Sequence, residues 1–119
     1  VTWGRPDAGG DSSAVQEKLS GKQVTHIYST DRAFGAVLEG GGVVTWGLAD
    51  DGGDSKAVQE KLSGKQKVKQ IYSTSRAFAA LLEGGGVVTW GSADDGGDST
   101  TVQEKLSGNQ HVKQIYSTN

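Results

Sequence analysis

The sequence predicts an all-β tandem repeat with short helices, about two and three-quarter copies of one ~44-residue unit. Three recurring strings carry that prediction. Val-Thr-Trp-Gly stands at 1–4, 44–47 and 88–91, Val-Gln-Glu-Lys-Leu-Ser-Gly at 15–21, 58–64 and 102–108, and Ile-Tyr-Ser-Thr at 27–30, 71–74 and 115–118. Arg-Ala-Phe adds a marker at 32–34 and 76–78. The copies run 1–43, 44–87 and 88–119, the last incomplete; the second and third differ at six of the 32 positions they share. Agreement of that kind is internal duplication, so the chain is one repeat array rather than several domains.

Within a unit the elements follow in a fixed order. Val87-Val88-Thr89-Trp90, β-branched and aromatic, ends at Gly91 as a strand does. A polar turn follows, Asp50-Asp51-Gly52-Gly53 in the second copy. Helices are expected near 12–19, 55–62 and 99–106. In the second, Asp54 or Ser55 is placed to cap the first turn, Val58 and Leu62 share a face, and Gly64 falls where a left-handed C-cap belongs. Strands are expected around Val68–Ser73 and Ala77–Leu82, and Glu83-Gly84-Gly85-Gly86 then turns the chain back into the next Trp-Gly strand.

The strand Ala77-Phe78-Ala79-Ala80-Leu81-Leu82 sets the expected architecture. Phe78, Ala80 and Leu82 fall on one face, Ala77, Ala79 and Leu81 on the other, so both faces are apolar and both need cover. Small sheets stacked face to face around an axis supply that cover, and a unit of ~40–50 residues with several strands has the size of a propeller blade. The expectation is therefore a partial or open β-propeller of about three blades, with the helix on the rim or between blades. The repeated Trp3, Trp46 and Trp90, together with Phe34 and Phe78, are its expected core, each indole N–H needing a backbone acceptor.

Val-Val-Thr-Trp-Gly, preceded by a glycine hairpin and by Ala-Leu, resembles the blade signature of regulator-of-chromosome-condensation-type repeats over Ala80–Gly91 and Ala36–Gly47. That resemblance implies a β-propeller. The chain departs from the family pattern where Thr74-Ser75-Arg76-Ala77 replaces Gly-x-x-His, and where Gly96-Gly97-Asp98-Ser99 replaces Gly-Gln-Leu-Gly. The resemblance accordingly implies a divergent variant and names no partner.

Composition narrows the function. Twelve basic and fourteen acidic side chains give a net charge of −2, without the clustered Lys and Arg of a nucleic-acid binder. No apolar run approaches the ~20 residues of a membrane helix. Cysteine is absent, which removes disulfides and thiolate chemistry and fits an intracellular protein. The chain opens on Val1 and holds no methionine, so a piece of something longer is expected. His26 and His111 occupy unrelated repeat positions, and neither a Gly-x-Ser-x-Gly elbow nor a phosphate loop occurs. The Asp-Gly turns lack the alternating carboxylates of a calcium loop. No enzyme, cofactor or metal is expected.

What remains is a protein–protein interaction scaffold. Its candidate contacts are the two arginines before the middle strand, Arg32 and Arg76, whose guanidinium groups either bind a partner's carboxylate or pair internally. The others are positions that vary between copies, and so are expected outside the core: Leu48, Asp51, Asp95, Lys56, Lys69 and Lys113. Expected partners are other protein chains covering the open ends, including further copies. A lectin-like propeller with one shallow site per blade, or a consensus-designed repeat, are the alternatives.

Overall fold

Two three-stranded antiparallel sheets, one for each complete hairpin, account for the strands of the described residues, which in this computed structural model are 1–21, 23–62, 67–99 and 112–117. The chain runs through helix α1 (Gln16–Ser20), strands β1 (Val24–Ser29), β2 (Ala33–Leu38) and β3 (Val43–Gly47), then α2 (Gln59–Leu62), β4 (Val68–Ser73), β5 (Ala77–Leu82) and β6 (Val87–Gly91). Each sheet is a meander, β1-β2-β3 and β4-β5-β6, with its middle strand between its sequence neighbours. β4 and β5 match the expected strands residue for residue. Short 3-10 turns at Ser13–Val15 and Lys56–Val58 lead into α1 and α2. The third expected helix lies outside the described residues beyond Ser99. No helix among the described residues is long and apolar enough to cross a membrane.

Register places the aromatic residues. Phe34 pairs with Trp46 and Phe78 with Trp90, so each couple shares a face and stacks, with ring centroids 5.4 and 5.2 Å apart. In the first sheet that face also carries Ala36, Leu38 and Val44, and it packs on Val15 and Leu19 of the α1 region. The opposite face, with Ala33, Val37 and Val43, meets Phe78, Ala80 and Trp90 of the second sheet and Leu62 of α2 in one core. Small residues therefore receive the large ones. Gly35, opposite Thr45, lies beside the Phe78 ring; a Cβ there would sit 3.8 Å from it, at ordinary van der Waals contact. Stacking decides burial at equivalent positions: Ile71, between the sheets, is 2% exposed, whereas Ile27 is 58% exposed.

The same bonds join successive units at a 44-residue step. Ser73 Oγ donates to the Ser29 carbonyl at 2.8 Å, and Ser117 Oγ to that of Ser73 at 3.1 Å. The Val68 N–H reaches Gly41 O at 3.3 Å and the Val112 N–H reaches Gly85 O at 3.1 Å.

Four expectations need correction. Val1–Gly4 is not a strand, and Trp3 is 85% exposed rather than core. Trp46 and Trp90 are covered by a phenylalanine 12 positions earlier on a neighbouring strand, and no phenylalanine stacks on Trp3 among the described residues. Phe34 is only partly buried, since Gly9 and Trp46 cover it but no further sheet does. Residues 115–117 carry no strand pairing among the described residues. The left-handed cap expected at Gly64 lies outside the described residues.

Because Trp90 is sealed between sheets, Trp90→Ala is expected to cost about 3–5 kcal/mol. Trp3→Ala should stay within ~0.5 kcal/mol, as surface changes do. Urea denaturation of the two variants reads the contrast directly.

Candidate interaction surface

The junction between units is built on the turn after each Trp-Gly strand. In the second copy this turn is a 3-10 turn, Ala49–Asp51, that ends on Gly52 at φ +108°. Its own sheet fixes it from below: the Leu48 N–H donates to Arg32 O at 2.9 Å and Thr30 Oγ1 to Asp51 O at 2.9 Å. Thr45 Oγ1 binds Gly53 O and Ser55, and Gln59 Nε2 donates to Ser55 Oγ at 2.7 Å. The Lys56 N–H is taken by Asp54 Oδ1 at 3.0 Å, so Asp54 supplies the side-chain acceptor, while Ser55, at the N-cap position, makes no side-chain capping bond.

The next sheet closes over this platform. The Phe78 ring lies on Gly52, where a Cβ would come within 2.5 Å of it, and Trp90 Nε1–H donates to the Gly52 carbonyl at 3.1 Å. Only glycine meets both demands, a left-handed backbone and a bare face. The same clasp recurs one unit earlier, where Phe34 covers Gly9 and Trp46 Nε1–H donates to Gly9 O at 3.2 Å.

Electrostatics distinguish the two junctions. Arg76 Nε donates to Asp51 Oδ1 at 3.0 Å, and its Nη1 lies 3.7 Å from Asp95 Oδ2. The hydrogen bond that Arg76 donates to Asp51, and then the charge of that carboxylate, raise the Arg76 pKa above its ordinary value. Ala8 occupies the position of Asp51 in the first copy, and Asp7 there pairs instead with Arg5 at 2.9 Å. The Arg5 hydrogen bond holds the Asp7 carboxyl below the usual range, against a small opposing effect of burial.

The sequence candidates therefore separate. Asp51 is 2% exposed and belongs to the junction, which corrects its expected place outside the core: a carboxylate tolerates burial here because Arg76 meets it. Arg76, half-exposed, is engaged internally, whereas Arg32 is exposed and no carboxylate accepts from its guanidinium among the described residues. Leu48 is partly buried beneath the turn. Lys56, Lys69 and Lys113 are exposed on three different segments. No cluster of three or more metal-ligating side chains forms among the described residues. Sequence reasoning passed over the platform glycines Gly9, Gly52 and Gly96; their signal was a glycine at one fixed place in all three copies. No protein-family model, curated protein or solved structure matches the chain.

Two predictions follow from the junction. Gly52→Ala and Gly96→Ala share the cost of a positive φ, but among the described residues only Gly52 of the two carries a ring above it. Gly52→Ala should therefore lose about 1–3 kcal/mol more than Gly96→Ala in denaturant titrations, the range for overpacking. Arg76→Ala strands a buried carboxylate and should lower the melting temperature by several degrees, while Arg32→Ala leaves it unchanged within error in the same calorimetric scan.

Proposed function

We propose that the chain is a non-enzymatic protein–protein interaction scaffold whose units are propeller-type blades, a divergent form of the regulator-of-chromosome-condensation-type repeat. One observation carries the reading: the two sheets meet closely along their first strands and stand apart along their third. Ser73 Oγ of β4 bonds Ser29 O of β1, and the Asp31 N–H donates to Ser75 O at 2.9 Å beside it. On the far side the α2 segment is interposed. Gln59 Nε2 donates to Val43 O of β3 at 3.2 Å, and the 3-10 turn before α2 packs on β6. Sheets pinned at one edge and wedged at the other fan out around an axis, as blades do.

A fan of blades holds its core constant and offers its variable positions to partners. Lys56 and Lys69 vary between copies, are exposed and make no contact that the fold needs. Photo-crosslinking side chains at 56 and 69 are expected to capture discrete polypeptides. Reversing the charge at the other position, Lys69→Glu with the crosslinker at 56 or Lys56→Glu with it at 69, should abolish that capture and shift stability by no more than ~0.5 kcal/mol. Capture that survives charge reversal, or specific retention on a glycan array instead of protein capture, would count against this function.

A further inference from the structure

Gly96 stands where Gly9 and Gly52 stand in the earlier units, yet among the described residues nothing lies within 4 Å of the face a Cβ would occupy. We infer that the surface around Gly96 is a preformed acceptor for a β-hairpin carrying the Arg-Ala-Phe and Trp pattern, a reading that rests on the scaffold function above.

The acceptor has the geometry of an occupied one. Its turn, Ala93–Asp95, ends on Gly96 at φ +105°, against +108° for Gly52. The Gly97 N–H donates to Ser92 O at 2.8 Å, as the Gly53 N–H does to Leu48 O at 2.9 Å. Thr74 Oγ1 holds Asp95 O at 2.9 Å, as Thr30 Oγ1 holds Asp51 O. Above Gly96 is a cavity of about 420 Å³ bordered by Ala77, Ala79, Asp94, Tyr72 and Tyr116. In both earlier units that space holds the stacked Phe–Trp couple.

The strand and the charge that would receive the hairpin are also in place. Residues 112–117 follow the path of β4, anchored by the Val112 and Ser117 bonds that Val68 and Ser73 make one unit earlier. They have no strand partner among the described residues, and Tyr116 is 83% exposed where Tyr72 is half-buried. An unpaired segment of this kind templates an added strand. The Asp95 carboxylate is 31% exposed against 3% for Asp51, and Arg76 approaches it only to 3.7 Å. It is short of the close Nε donor that Asp51 has from the arginine before Phe78. A docked hairpin would pair with 112–117, lay its phenylalanine on Gly96, donate its indole N–H to Gly96 O and bring arginine to Asp95.

The probe is a fluorescent peptide with the sequence of residues 75–91, titrated by anisotropy into the full chain. Saturable binding is expected, weakened at least about tenfold by Phe78→Ala in the peptide and by a smaller factor by Asp95→Asn in the chain. Hydrogen exchange in the complex should slow at 112–117. The isolated hairpin is at best marginally ordered, so the same segment fused after Asn119 gives a second reading and should raise the melting temperature. Binding that ignores Phe78→Ala overturns the inference, as does absence of both binding up to roughly 1 mM and stabilisation of the fusion. Crosslinking at 56 and 69 is independent of this surface, so its outcome separates failure of the acceptor from failure of the scaffold reading.

Discussion

The contact on which the rest depends is an aromatic ring laid on a left-handed glycine. Phe78 covers Gly52 while Trp90, stacked beside it, donates its N–H to the carbonyl of that same residue. Burying one phenylalanine is worth about 1.5–3 kcal/mol, and the neutral hydrogen bond adds ~1 kcal/mol net. Ring burial thus holds the units together, while the indole bond fixes their register. A hydrogen bond to one carbonyl tolerates little sliding, whereas an apolar face alone would. Because each clasp joins only neighbouring units, stability is distributed along the array as nearest-neighbour terms.

The helical segments follow from the same constraint. A sheet presenting Phe and Trp on one face and Ala, Gly, Val and Thr on the other stacks tightly only where the small residues lie. Toward β3 and β6 the gap is filled by α2, with Leu62 fully buried in the shared core and Val58 packed against it. The sequence between Trp-Gly strand and first strand is therefore a spacer whose thickness sets the angle between sheets. Its polar side is tied to the sheet by the Thr45–Ser55–Gln59 chain of bonds, which satisfies the buried hydroxyl of Ser55.

Strands were legible where composition left no alternative. Ala77–Leu82 is apolar on both faces and bounded by turn residues, and its limits coincide with β5; the stacked arrangement explains why both faces are apolar. Trp46 and Trp90 were legible for a similar reason, being large and repeated in a strand context. What escaped was relational. Trp3 has the same local sequence as Trp46, but burial comes from a phenylalanine on a neighbouring strand, and a local string carries no record of that neighbour. Asp51 varies between copies and so looked external; its burial is set by Arg76, 25 positions later. Gly52 was readable as a turn residue, but its use as a platform depends on a ring that register alone brings to it.

Comparing the two junctions separates what the fold requires from what it permits. Phenylalanine, indole and glycine are the same in both, with indole bonds of 3.2 and 3.1 Å. The ion pair is not: Arg76 meets Asp51, whereas in the first copy Ala8 stands in the place of Asp51 and Asp7 is engaged by Arg5. The first junction forms without the charge, so the aromatic clasp suffices to close one unit on the next. The charge at the second is an addition that discriminates between otherwise equivalent surfaces, since an arginine brought to a turn without an acceptor gains nothing there. Apolar contact supplies the adhesion common to both junctions, and the Arg76–Asp51 pair is added to it at one of them. That division lets the sequence drift between copies without loss of the fold.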